Sequence, residues 1–184
     1  MMVSKTSAIT LHKTLTTSFA CSTIALLDAD TFIVGTINHQ HPVRTVSVQG
    51  QVGDIRHKLL PDQIYNMHQS SCTYVPCTKT VVFSDRDQDT VYMCDIKSGN
   101  GRVINSDKIR QPKRVCAGPA GTVFVSSGNT HSIVQLSHQG DVLMSNNVGM
   151  KLPTAISLSR DGTRMVVANA VGGQTMIKLF MVSS

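Results

Sequence analysis

The sequence predicts an all-β protein, specifically a β-propeller with about four blades of four antiparallel strands each. The chain of 184 residues contains no Glu, little Ala and much Val, Ser and Thr, a composition that removes the best helix formers and favours pleated strands. With 41% apolar residues and a formal net charge of +6, the chain can bury a core. Finally, a strand–turn–strand pattern recurs at an interval typical of propeller blades.

The recurring pattern is a short apolar strand, a turn and a second strand, with a Thr directly after the turn. Its four copies lie at residues 24–34, 73–83, 115–125 and 156–166, with Thr31, Thr80, Thr122 and Thr163 after the turns. A polar loop and a third apolar strand follow each copy, and a fourth strand follows in the complete units. Sheets of this kind bury both faces only by stacking on their neighbours.

These repeats divide the chain into a terminal segment and four blades. We place an N-terminal extension or closing strand at residues 1–15 and the propeller at residues 16–184, with approximate blades at residues 16–60, 61–110, 111–150 and 151–184. The last blade is expected to end after its third strand, and residues 3–11 are a candidate for its outer strand. An edge left open would invite association with another chain. A β-sandwich is the alternative fold.

The compartment is predicted from hydropathy and cysteine usage. No stretch reaches the roughly 18–20 uninterrupted apolar residues that a bilayer-spanning helix needs. The five cysteines form an odd set without a CxxC pair, which favours reduced and mostly buried thiols over disulfides. We therefore expect a cytoplasmic protein without a membrane partner.

The third repeat carries a likeness to a known family. Residues 112–140 begin with a Pro and continue through a turn at Gly121, a strand containing Phe124, a Gly-Asn loop and a final Gly. This order resembles an NHL repeat. Residues 153–180 look like a second copy, whereas the two earlier units keep the strand pattern without the signature.

The resemblance implies a propeller like the C-terminal domain of tripartite-motif (TRIM) proteins, incomplete against the six blades usual in NHL propellers. The sequence has no RING or B-box zinc pattern, so no ubiquitin-ligase chemistry is carried over. What the resemblance implies is the recognition half of such a ligase. The expected function is therefore a non-catalytic module in the ubiquitination pathway that binds a protein partner, with RNA as the other ligand considered.

The candidate binding residues are polar and basic positions in loops that propeller geometry places on one face. They are Arg86, Lys108, Arg110, Lys113, Arg114, Asn129 and His131. The run from Lys108 to Arg114 is the densest basic cluster, and such a cluster can pair with phosphates or with an acidic protein segment. The alternative is a solvated loop in a mildly basic protein.

No catalytic residue, metal site or cofactor is predicted. The sequence contains no GxSxG, HExxH or Walker-type loop. The series Asp85, Asp87 and Asp89 is followed by Thr and Ile where a calcium loop needs Gly and a carboxylate. The enzymatic alternative is a propeller of the gluconolactonase (senescence-marker) family, whose metal site normally uses a Glu. A degenerate fragment without independent function is the third reading.

Overall fold

The computed structural model describes residues 10–55, 60, 63–171 and 174–182. Within these residues the chain forms sixteen β-strands and two single-turn 3-10 helices. The strands make four antiparallel sheets that follow one another along the sequence. This arrangement confirms the prediction of an all-β propeller with four blades. Among the described residues, no helix has the length and apolar character that crossing a bilayer requires.

Each sheet is one blade, and we number the strands in chain order. Blade I contains β1 (Ala20–Leu26), β2 (Thr31–His39), β3 (Val43–Ser47) and β4 (Val52–Asp54), with the short β5 (Tyr65–Asn66) also pairing with β2. Blade II contains β6 (Cys72–Val75), β7 (Thr80–Asp85), β8 (Thr90–Asp95) and β9 (Gly101–Asn105). Blade III contains β10 (Pro112–Ala117), β11 (Val123–Ser127), β12 (Ser132–Leu136) and β13 (Val142–Asn147). Blade IV contains β14 (Ala155–Leu158), β15 (Arg164–Val171) and β16 (Gln174–Met181).

Blade IV has three strands among the described residues, in keeping with the expectation that it ends after its third strand. Most of the predicted closing strand, residues 3–9, lies outside the described residues. Residues 10 and 11 are described and have no strand structure. The limits proposed at residues 110/111 and 150/151 fall in connecting segments, and the blade limits as a whole stay a prediction.

The blades stack side by side through their first strands. Strand β1 contacts β6, β6 contacts β10, and β10 contacts β14. Because side chains alternate across a strand, the apolar residues on one side of a blade contact one neighbouring blade, and those on the other side contact the next. Ile33 and Phe83 fill the space between blades I and II, Val82 and Val125 that between II and III, and Phe124 and Val167 that between III and IV.

The antiparallel order of strands places two classes of connection at opposite ends of the sheets. The hairpin turns that join first to second strands and third to fourth strands lie at one end. The loops between second and third strands, together with the links between blades, lie at the other end, which we call the upper face. Residues 86–89, 106–111, 128–131 and 148–154 belong to this face.

All five cysteines are free thiols. Cys72 and Cys94 are buried in the cluster between blades I and II, and Cys116 is half-buried. Burial raises the pKa of Cys72 and of Cys94 to about 11 and that of Cys116 to about 12. Cys21 and Cys77 are exposed, so the expectation of mostly buried thiols applies to three positions.

Candidate functional site

Hydrogen bonds tie the loops of the upper face to one another across blades II, III and IV. The Gln111 N–H donates to Asp89 Oδ1 at 2.6 Å, which joins the link between blades II and III to the β7–β8 loop. The Asn129 N–H donates to the carbonyl of Arg110 at 3.1 Å. The Leu152 N–H lies 3.2 Å from Nδ1 of His131. The upper face is therefore a connected surface of backbone segments that hold fixed positions relative to the blades.

Lys108 and Arg110, two members of the predicted basic cluster, are exposed and paired with carboxylates. Arg110 Nη1 lies 3.3 Å from Asp89 Oδ2, and Lys108 Nζ lies 3.2 Å from Asp107 Oδ2. Exposed pairs of this kind contribute little to stability. These pairs do offset two positive charges of the basic cluster, for which the sequence indicated no partner.

Lys113 and Arg86 differ from Lys108 and Arg110 in their burial, although Lys113 belongs to the same basic run. Lys113 lies on β10, the first strand of blade III, and is half-buried. Burial, together with the nearby positive charge of Arg86, lowers the pKa of Lys113. The Nε atom of Arg86 is buried, and the described part of the chain offers it no hydrogen-bond partner. The structure thus brings together two cations that repel each other.

The backbone of Arg86 is held in place by a short turn. The carboxylate of Asp85 is buried and accepts the N–H groups of Asp87 at 3.1 Å and of Gln88 at 3.2 Å. Burial raises the pKa of Asp85, and these two hydrogen bonds act in the opposite direction. The Arg86 N–H donates to Ser70 Oγ at 3.1 Å. The turn therefore fixes the point from which the guanidinium extends.

Two buried hydroxyl groups attach the strand of Lys113 to blade II. Ser71 Oγ accepts the N–H of Val115 at 2.8 Å. Ser84 Oγ accepts the Ser71 N–H at 3.0 Å and lies 3.4 Å from the carbonyl oxygen of Lys113. Both serines are at most 3% exposed. Because these contacts join blade II to blade III, they also fix the position of Lys113 relative to Arg86.

The remaining predicted residues are Arg114, Asn129 and His131. Arg114 is exposed, and its N–H donates to the buried hydroxyl of Ser126 at 2.9 Å. Asn129 is exposed at a loop tip. His131 is half-buried, with Nδ1 2.8 Å from the carbonyl oxygen of Gly128 and also in contact with the link between blades III and IV. In this structure His131 connects two loops of the upper face.

Several residues of this site were not predicted from the sequence. Asp89 neutralises Arg110 from a loop about twenty residues away in sequence, and Ser70, Ser71 and Ser84 hold the backbone through hydroxyl groups. A pair of serines directly before an apolar strand is a weak signal for such buried contacts. Among the described residues, no group of three or more His, Cys, Asp or Glu side chains comes together as a metal site would require.

Comparison with known proteins identifies the fold. No family model and no curated protein sequence matches this chain. A hydrazine synthase structure from Kuenenia stuttgartiensis matches with a TM-score of 0.71 and 16% identity over 95% of this chain and 49% of that one. Virginiamycin B lyase from Staphylococcus aureus matches with a TM-score of 0.63 and 14% identity, over 88% and 55%. A structure of a nidogen/laminin complex matches with a TM-score of 0.63 and 14% identity, over 83% and 58%.

These matches show a β-propeller and nothing finer, because identities of 14–16% establish the fold alone. They do not show the finer likeness to the propeller of TRIM proteins. The chain spans about half the length of the solved structures it matches, with 49%, 55% and 58% of those chains covered.

The comparisons correct the prediction that the protein is not an enzyme. Two of the matching structures, the hydrazine synthase and the lyase, carry the names of enzymes. A propeller without a familiar catalytic motif is therefore no evidence against catalysis. The likeness assigns neither reaction to this chain, since a shared fold does not carry a shared activity.

Proposed function

We propose that the upper face binds an acidic segment of a protein partner, with Arg86 and Lys113 as its central contacts. The observation that carries this proposal is uncompensated positive charge in a half-buried position. Burial and Arg86 together lower the pKa of Lys113, and Arg86 Nε is buried without a partner in the described chain. A carboxylate bound beside the two side chains would pair with the guanidinium of Arg86 and favour the charged form of Lys113.

The rest of the face fits an extended acidic ligand. Arg114 is exposed on the same strand as Lys113, and Arg110 and Lys108 continue the positive surface along the link between blades II and III. Their surface pairs with Asp89 and Asp107 are exposed, so they can exchange partners at little cost. Positive charge arranged in this way also accelerates the approach of an acidic partner.

A protein ligand is favoured over RNA by the position of the aromatic residues. Single-stranded nucleic acids bind strongly where bases stack on exposed rings. All eight Phe and Tyr side chains of this protein are buried or half-buried, as Phe83 and Tyr92 in the core illustrate. One of the matching propellers was solved in the nidogen/laminin complex. Because the sequence resembles NHL repeats, we also propose that the upper face recognises substrates for a cytoplasmic ubiquitin ligase.

Binding to two probes tests the proposal, a fluorescein-labelled polyglutamate peptide and a fluorescein-labelled single-stranded RNA of mixed sequence. We expect the double variant Arg86→Met, Lys113→Met to bind the peptide about tenfold more weakly, because charge-assisted hydrogen bonds are lost. The matched control is Lys97→Met, Arg102→Met, which removes the same net charge from the hairpin at the opposite end of blade II.

The control pair separates a specific site from general attraction to a basic protein. A loss below about twofold is expected for Lys97→Met, Arg102→Met, because distant exposed charges are screened at physiological salt. Equal losses in both double variants would contradict a site at Arg86 and Lys113. Tighter binding of the RNA than of the peptide, lost in the same upper-face variant, would assign the face to nucleic acid instead.

A further inference from the structure

Blades II and III pack on a neighbour at both sides, whereas blades I and IV each have one side that no other described blade covers. In blade IV, cross-strand pairing places Val166 opposite Leu179, and Ile177 and Met181 on the same side of the sheet. The opposite side, which includes Val167 and Phe180, packs on blade III. We call the uncovered side the tail surface.

The tail surface is strongly apolar and open to solvent. Its four large side chains are exposed by 40% at Val166, 73% at Ile177, 64% at Leu179 and 75% at Met181. Contiguous exposed apolar side chains of this kind mark an interaction site. On the other side of the blade IV sheet, a cavity of about 350 Å³ opens between β13 and β16 and is lined in part by Met144 and Phe180. The outer edge of β16 pairs with no strand among the described residues.

Blade I has a corresponding uncovered side, which we call the head surface. Ile24 pairs with Val34 and Leu26 with Phe32, so these side chains share one side of the sheet. Ile24 is 65% and Leu26 60% exposed. The opposite side, which includes Ile33, packs on blade II.

Residues 10–19 cross the outer half of the head surface. Lys13 Nζ donates to the carbonyl of Val48 at 3.2 Å, beyond the end of β3. The Phe19 ring lies under the guanidinium of Arg44 at 4.7 Å, and Arg44 pairs with Val34 on the side of the sheet that faces away from blade II. Residues 10–19 do not cover the inner half of the head surface, at β1.

We propose that the head surface of one copy of this chain packs on the tail surface of a second copy, and the reverse, which closes two chains into one ring of blades. At each boundary inside the chain, the side of a blade that corresponds to the head surface packs on the side of the preceding blade that corresponds to the tail surface. The proposed contact between blade IV of one copy and blade I of the other repeats this arrangement. The chain also spans about half the length of the solved chains it matches, 49–58%, so two copies supply about the length of one such chain.

Both surfaces expose apolar residues in their outer halves. The bare apolar row of the tail surface lies on β16, the outer described strand of blade IV. The outer half of the head surface carries the segment of residues 10–19, whose Leu11 is 85% exposed. Head-to-tail stacking brings outer half onto outer half, so that the segment of residues 10–19 faces β16 of the other copy. Because ring closure forms the contact twice, each needs to bury only about half of the roughly 1,200 Å² that a stable dimer requires.

The oligomeric state of the chain and of paired variants tests this inference. By size-exclusion chromatography with light scattering, we expect the chain to have about twice its monomer mass of 19.9 kDa. The tail variant Ile177→Asp, Leu179→Asp and the head variant Ile24→Asp, Leu26→Asp should each be monomeric, because charge is then placed in an apolar contact. The control Val103→Asp, at a 38% exposed position on β9, should stay dimeric.

Mixing the head variant with the tail variant gives the decisive result. The unchanged tail of one meets the unchanged head of the other, so one of two contacts is intact and a weaker dimer should reappear as the protein concentration is raised. A wild-type monomer, an assembly larger than a dimer, a head variant that stays dimeric, or no recovery on mixing would each overturn the proposal. If an Asp variant fails to show cooperative unfolding, Ile177→Thr, Leu179→Thr and Ile24→Thr, Leu26→Thr replace it, because Thr keeps the strand preference.

Discussion

Strands β7 and β16 both carry apolar residues on their two faces but have different surroundings. The apolar run of β7 covers residues 81–83, and that of β16 covers residues 176–181 with Lys178 inside it. All six residues of β7, Thr80–Asp85, are buried. Along β16, from Thr175 to Met181, exposed and half-buried residues alternate. A continuous apolar run is typical of a strand that is covered on both faces. β16 therefore has apolar residues for two faces, as a middle-blade strand does, but a neighbour on one side among the described residues.

The same contrast holds for whole blades. In a repeat array, stability is approximately a sum of the intrinsic terms of each unit and the contacts between neighbours. Blades II and III have two such contacts, and blades I and IV have one within the described chain. We therefore expect matched substitutions to cost more in the middle of the array than at its ends.

The largest difference is expected for two phenylalanines in corresponding clusters. Phe83 in blade II is fully buried and stacks on Tyr92 with ring centroids 4.9 Å apart, so Phe83→Ala should lower the free energy of unfolding by about 3–5 kcal/mol. Phe180 in blade IV is half-buried and borders a cavity, so Phe180→Ala should cost less than about 3 kcal/mol. Urea unfolding followed by circular dichroism measures both.

Equal costs at the two positions would contradict the distinction between middle and end blades. A larger cost at Phe180 would show that the packing of blade IV on blade III contributes more than the half-buried ring indicates. If the chain dimerises as proposed, the comparison is made on the monomeric tail variant, because association would otherwise add its own free energy to the measurement.

A smaller difference is expected for two serines on first strands or directly before them. Ser71→Ala removes the oxygen that accepts the Val115 N–H between blades II and III. A buried N–H without a partner costs about 1–3 kcal/mol. Ser157→Ala changes an exposed hydroxyl on β14, and surface changes of this kind usually stay within about 0.5 kcal/mol. A Ser71→Ala protein as stable as the wild type would mean that water replaces the hydroxyl and that blade contact does not depend on it.

The repeat pattern predicted the strands because each blade is a local structure. The turns illustrate this, since Gly121 and Gly162 take φ values of +79° and +72°, which glycine adopts without a steric cost. The number of blades and the incomplete last sheet followed from the same pattern. Local sequence was sufficient wherever a feature depended on the alternation of apolar residues within one hairpin.

The site was harder to predict because its contacts join separate blades. Arg110 and Lys113 belong to one basic run in the sequence. The structure pairs Arg110 with Asp89 and places Lys113 near Arg86 instead. Which side chains meet depends on how blade II packs on blade III. The spacing of charged residues along the sequence does not indicate that packing. The path of residues 10–19 across blade I depends on long-range contacts in the same way and was not predicted.

The smallest effect is the pH dependence that Lys113 adds to stability. Its pKa in the folded state is lowered from 10.5, chiefly by burial and then by the charge of Arg86. Between the lowered value and 10.5, the unfolded chain binds more protons than the folded one, so this group makes stability rise with pH. The raised pKa values of Cys72 and Cys94 act in the opposite direction above pH 9.

The contribution of Lys113 is therefore obtained as the difference between the wild type and Lys113→Met, measured by urea unfolding as the pH is raised toward 10.5. The variant should lack the rise and should be relatively more stable at neutral pH, where the half-buried cation is charged. Lys178→Met is the control in an end blade, because its Nζ donates to the carbonyls of Val148 and Gly149 at 3.1 and 2.7 Å and its removal leaves Lys113 in place. Should Lys113→Met lower stability at neutral pH, its charge would already have a partner in the folded chain, and the argument for an acidic ligand at the upper face would lose its basis.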